Sequence, residues 1–102
     1  MVAGRIETYV HSDAITQNKG VAIVKVVTDT DFAARTDEFK TFAREAAMLV
    51  FGAMGHTRAF IAGATMWETV IAKFPDLETK RLEVERDLGE TVKVTEMAIL
   101  RL

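Results

Sequence analysis

The chain contains no cysteine. Disulfides, thiolate metal sites and a cysteine nucleophile are thereby excluded together, and the absence fits a reducing compartment. Histidine is scarce: His11 and His56 lie far apart, neither has a second ligand-type residue at metal spacing, and each reads as a solvated strand-end or loop residue. An excess of one charge is also missing. Thirteen Lys and Arg against fifteen Asp and Glu leave a formal charge of -2, without the basic surplus that draws a protein to phosphate backbones, so nucleic acid is not an expected partner. No apolar run reaches membrane-spanning length and Met1 to Gly4 begins no signal peptide, so no membrane is expected and a cytoplasmic location is the default. There is no G-x-S-x-G, phosphate-loop or dinucleotide signature, and Gly52, Gly55 and Gly63 do not stand between a strand and a helix as a nucleotide loop requires. No cofactor, metal or catalytic chemistry is expected of this chain.

What is present is a globular mix of 49% hydrophobic and 27% charged residues over 102 positions, which predicts one folded domain over residues 1–102. Arg5 to His11 and Gly20 to Thr28 are rich in β-branched residues and read as two strands joined by a loose polar hairpin, Ser12 to Lys19. The second strand is apolar on both alternating faces, with only Lys25 breaking the set, and so should be covered on both sides. From Thr36 the period changes. Phe39, Phe42, Ala43, Ala46, Ala47, Val50, Phe51 and Met54 recur at helical spacing opposite Glu38, Lys40, Arg44 and Glu45, with Thr36 as the N-cap. Gly52, Gly55 and Gly63 then mark a flexible connector or a frayed helix end. Thr65 to Glu68 has the form of a capping box opening a short helix that Pro75 ends, and Asp76 to Leu88 reads as a mostly solvated helix stopped by Gly89. In Thr91 to Leu102, Val92 and Val94 are out of phase with Met97 and Ile99, and one extra residue near Thr95 and Glu96, a β-bulge, reconciles them. The expected fold is α+β: a three-stranded antiparallel sheet with helices packed on one face, in the order β-β-α-α-α-β.

Chemistry is nearly absent from this pattern. The carboxylates between Asp76 and Glu90 alternate with Lys80, Arg81 and Arg86 and read as a solvated charged face. One junction stands out, Thr28-Asp29-Thr30-Asp31-Phe32-Ala33-Ala34-Arg35, between a very apolar strand and a well-capped helix. In one reading Phe32 folds back onto the first helix turn while Asp31 or Thr30 satisfies turn amides. In the other, a loop pinned at both ends presents Phe32 as a wedge and Asp31 as a charge to a partner. A third, unrelated possibility is a dimeric ligand-binding domain built around Met66, Trp67 and the Gly-rich connector.

The motifs resemble those of bacterial elongation factor Ts, the guanine-nucleotide exchange factor of elongation factor Tu. Members carry a strand ending in Tyr-Ile-His, a second running into Glu-Thr-Asp-Phe-Val-Ala-Arg, and a helix with Phe, Ala and Met at fixed places. Here stand Tyr9-Val10-His11, Asp29 to Arg35, then Phe39, Ala43, Ala47 and Met48, and Leu88-Gly89-Glu90-Thr91-Val92 resembles the family's Ile-Gly-Glu-Asn-Ile. The resemblance implies an elongation factor Ts core-like fold and a partner-binding loop of Thr30, Asp31, Phe32, Ala33 and Arg35. It implies that Asp31 and Phe32 enter elongation factor Tu near its magnesium site, with GDP and magnesium bound by that partner.

Departures from the family pattern are Ala33 for Val, Thr28 for Cys, a longer first hairpin loop, and Thr95-Glu96 where paired Arg is common. These 102 residues match none of the family's N-terminal helical domain, long helical protrusion or second core, so a reduced single-core version is expected, and an adaptor role would suit a virus-encoded relative. Two functions therefore stand: an exchange factor, or a non-exchanging adaptor or inhibitor that recruits elongation factor Tu. A homodimer is expected in either case. Val21 to Val27 is apolar on both faces while helices cover only one, family cores occur in pairs, and Glu7, Lys25, Lys93 and Glu96 are candidates to set the register.

Overall fold

Nine residues rich in Val and Ile, after a turn and a matching first strand, organise the domain. In the computed structural model, which describes residues 3–54, 59–63 and 65–102, β1 (Ala3–His11) and β2 (Gly20–Thr28) pair antiparallel from Ala3 opposite Thr28 to His11 opposite Gly20. The loop between them is closed by the Lys19 amide donating to the His11 carbonyl at 2.8 Å. Asp13 orders its tip by accepting from the Thr16 and Ile15 amides at 2.6 and 2.9 Å and from Lys19 Nζ at 3.1 Å. The two amides, then the lysine, lower its carboxyl from the usual 3.8 to about 2. With the folded value depressed, this contribution is complete above the usual value and is lost as pH falls toward about 2.

β4 (Lys93–Arg101) lies on the other side of β2, and the register slips between Lys25 opposite Glu96 and Val26 opposite Val94. Thr95 is the extra residue. The expected bulge is therefore present, and it puts Val92, Val94, Met97 and Ile99 all into the core. The three expected strands form the antiparallel set β1-β2-β4, and a fourth extends it: β3 (Ala59–Gly63) pairs with β4 from Ala59 opposite Leu100 to Gly63 opposite Glu96. Part of the supposed flexible connector is thus a strand, because the free edge of β4 supplies its ladder partners. Gly52 belongs to the end of the long helix that Thr36 opens, and the stretch with Gly55 and His56 lies outside the described residues.

The helices stack over one face of the sheet, three of them against its strands and the last on the helices before it. α1 (Asp31–Ala34) is a single turn. α2 (Asp37–Ala53) begins where Thr36 Oγ1 accepts from the Phe39 amide at 3.2 Å, as its sequence predicts, and packs on β1 and β2, leaving Phe39, Phe42, Ala43, Ala46, Ala47 and Val50 with no exposure. Its alanines let the helix backbone approach the sheet, so Phe39 and Phe42 reach Val24, Val26 and Met97 within one cluster. α3 (Thr65–Lys73) is fastened by Lys73 Nζ to the Ala53 carbonyl at 2.6 Å. Its expected capping box rests on the Thr65 side chain, which lies outside the described residues. α4 (Pro75–Leu88) starts at the proline and stops at Gly89, whose φ of +69° is the left-handed geometry expected there.

Three readings change on the structure. α4 is less solvated than its charge suggests: Arg81 binds Glu78 and, at 3.0 Å, Glu85, and donates to the Val92 carbonyl at 2.8 Å, while Glu85 accepts from the Val92 amide at 2.9 Å. The i, i+3 and i, i+4 spacing of these residues is the signal for it. Two of the residues expected to set a dimer register are paired within the chain, Lys25 with Glu96 at 3.1 Å directly across the β2-β4 ladder. Glu7 faces the helices instead, against Arg5 at 2.8 Å and Arg44 of α2. Finally, β2 is buried on one face only. Val21, Ile23 and Val27 look out from the other, beside Ile6, Val10 and Leu100, which are 63%, 53% and 63% exposed.

Candidate functional site

Between the buried end of β2 and the start of α2 the chain has eight residues in which to turn, and two threonines control the turn. Thr30 is extended (φ -130°, ψ 152°) and its Oγ1 accepts from the Ala33 amide at 3.2 Å, opening α1. Thr36 closes it, its hydroxyl donating to the Ala33 carbonyl at 2.8 Å while it caps α2. A helical turn advances about 100° per residue, so Ala33 and Ala34, 2% and 7% exposed, face the core and push Asp31 and Phe32 outward. Phe32 is 82% exposed. It does not fold back onto the helix, although Thr30 does satisfy a turn amide, as the first reading held. Of the five residues expected at a partner surface, Thr30, Asp31, Phe32 and Arg35 are exposed together on this turn, and Ala33 is packed inward.

A second segment, distant in sequence, holds the turn in place. Glu90 Oε2 accepts from Thr30 Oγ1 at 2.6 Å, and its Oε1 from the Thr30 amide at 2.9 Å and Thr28 Oγ1 at 3.1 Å. Reciprocally, Asp29 accepts from the Thr91 hydroxyl at 2.9 Å and the Thr91 amide at 3.2 Å. The Thr30 hydroxyl, followed by the backbone amide, holds the Glu90 carboxyl below the usual range for glutamate. Because the folded value is the lower one, what this carboxylate adds to folding is present above the ordinary glutamate range and disappears as pH falls through the depressed value. Glu90 had been grouped with a solvated charged face. Charge spacing does not distinguish it, since its partners lie 60 to 62 residues away, and the signal that marks it is its place in the Gly89-Glu90-Thr91 motif.

Other candidates resolve differently. Trp67 is core rather than a ligand platform: it meets the Phe42 ring edge-on at 6.2 Å and donates its indole N–H to Glu78 at 2.8 Å. His11 is not a loose strand-end residue. Its Nδ1 lies 3.0 Å from the Tyr9 hydroxyl and its ring stacks on Phe51 at 4.9 Å, with the Arg101 guanidinium 3.8 Å from the centre of the Phe51 ring. Among the described residues no three His, Asp or Glu side chains converge as a metal site, and no helix is long and apolar enough to cross a membrane.

Comparison with known proteins finds similarity to proteins named Elongation factor Ts. That of Herpetosiphon aurantiacus is 53% identical over 47 residues, covering 46% of this chain and 22% of the relative. That of Finegoldia magna is 40% identical over 47 residues, covering 46% and 19%, and that of Rippkaea orientalis is 35% identical over 78 residues, covering 76% and 29%. The chain thus spans between about a fifth and under a third of the length of these curated relatives. No family model and no solved structure matches.

Proposed function

We propose that this chain is an elongation factor Ts-like module that docks on elongation factor Tu and promotes release of its GDP, with Asp31 and Phe32 entering near the partner's magnesium ion. The observation that carries this reading is Phe32: its ring is 82% exposed on a turn whose other side is capped and buried. Leaving a phenyl ring in water forgoes about 1.5–3 kcal/mol of burial. An aromatic kept in water at that cost on a hydrogen-bonded turn is suited to filling a pocket on another surface, since the backbone that carries it is ordered before binding. Asp31 adds a negative charge beside it. No covalent step is required of this chain, because GDP and magnesium are bound by the partner. If the protein weakens GDP binding by some ratio, GDP weakens its binding by the same ratio.

Elongation factor Tu preloaded with fluorescent GDP provides the test. Adding this protein should speed release, and raising magnesium should oppose the effect, since two ligands that each disfavour the other's bound state compete through linkage. Binding without faster release would make the chain an adaptor or inhibitor. Absence of binding would remove the reading, and acceleration insensitive to magnesium would remove the role given to the metal site.

The same reading includes a symmetric homodimer through the open sheet face. Ile6, Ile23 and Ala98 line a shallow apolar hollow there, bounded by the Lys25–Glu96 pair, and Val10 and Leu100 extend the surface. A two-fold pairing of this face with its copy would bury that patch with the commonest closed symmetry. Sedimentation over a wide concentration range should give twice the 11.3 kDa chain mass. A strictly monomeric mass at high micromolar concentration would defeat the idea.

A further inference from the structure

We propose that Glu90 is a positioning residue for the exposed turn: it holds Thr30 so that Asp31 and Phe32 are presented in one fixed orientation. The inference rests on the partner-binding reading of that turn. Thr30 has one hydroxyl hydrogen and it is committed to Glu90 Oε2 at 2.6 Å, which leaves a lone pair aimed at the Ala33 amide 3.2 Å away. The Thr30 amide and the Thr28 hydroxyl converge on the other carboxylate oxygen. One side chain therefore ties the last residue of β2, the N-cap of α1 and, through that cap, the first turn that carries Phe32. Glu90 is in turn not free to drift. Gly89 ahead of it is bonded to the Glu85 carbonyl at 2.9 Å, and Val92 behind it is held by Arg81 and Glu85 of α4. Asp29 and Thr91 close the same junction from the opposite direction.

The chemistry separates Glu90 from an ordinary surface acid. A carboxylate offers two acceptor oxygens, and all three groups facing it here are donors. Gln at this position keeps one acceptor but turns an amide N–H₂ toward the Thr30 hydroxyl, and Ala removes every contact. Neither change touches the α2-sheet core, so the domain should still unfold cooperatively, at a denaturant concentration lowered only by what the Glu90 carboxylate adds to folding.

The experiment uses the full chain with Glu90→Ala, Glu90→Gln, Phe32→Ala and the double variant Glu90→Ala/Phe32→Ala. Amide hydrogen exchange at Ala33, Ala34 and Arg35 reads the turn without any partner, and GDP release from preloaded elongation factor Tu reads its use. Glu90→Ala should speed exchange at those amides while leaving α2 protected. It should also lower the acceleration of GDP release about tenfold, as loss of a charge-assisted hydrogen-bonded anchor predicts. Glu90→Gln should fall between it and the parent. Because Glu90 works through Phe32, the double variant should be no worse than Phe32→Ala alone, whereas a general structural role would make the two losses add. Unchanged turn exchange in Glu90→Ala, or additive losses, would overturn the assignment. If the turn loosens but the parent protein itself fails to speed GDP release, the functional reading fails and takes the role of Glu90 in exchange with it, while the local clasp stands.

Discussion

Phe42→Ala should lower the stability of the domain by about 3 to 5 kcal/mol, the usual cost of truncating a fully buried phenylalanine. Phe42 has no exposed surface, packs within the cluster that joins α2 to β2 and β4, and meets Trp67 of α3 edge-on at 6.2 Å. Its removal leaves a cavity where two helices and the sheet converge, and the alanines around it are too small to fill the gap. For a domain of this size a loss of about 1 kcal/mol moves the melting temperature by about 4–8 °C, so the variant should melt well over ten degrees early. Phe39→Ala should behave alike. Urea denaturation of both variants would settle the matter, and a loss below about 1 kcal/mol would mean that the core is organised around other residues.

Phe32→Ala should have the opposite profile. Its ring is 82% exposed and its neighbours Ala33 and Ala34 supply the packing of α1, so stability should change by no more than about 0.5 kcal/mol. Partner engagement should weaken by about 2 kcal/mol or more, roughly thirtyfold, as for a central aromatic anchor. The comparison with Phe42 is internal: two phenylalanines ten positions apart, one dominating stability and the other recognition. A Phe32→Ala variant that melts as early as Phe42→Ala would place the ring in the core after all. One that keeps full binding to elongation factor Tu would deprive the exposed turn of its proposed role.

Local spacing carries much of the fold. Phe39 to Met54 could only form a helix with one buried face, because its apolar residues recur every three or four positions and a threonine and two acids stand at its start. The bulge at Thr95 followed from a phase break in a strand of period two. Gly89 followed from the need of a helix end for a left-handed residue. The strand character of β3 was hidden, since five residues ending on a glycine carry too little period to announce a strand and become one only against the free edge of β4. Trp67 likewise read as a possible ligand platform until Phe42 and Glu78 were found against it.

The candidate site divides along the same line. Sequence alone determined that an aromatic and an acid sit between an apolar strand and a capped helix, because residue types and near-neighbour spacing suffice for it. Only the tertiary structure decided that Phe32 points into water, that Ala33 faces the core, and that Glu90 and Asp29 clasp the turn. Those outcomes depend on donors and acceptors 60 to 62 residues apart meeting at the end of one sheet. Such meetings leave no periodic trace, since each partner taken by itself is an ordinary polar residue in a loop, and chain folding rather than local preference brings them together.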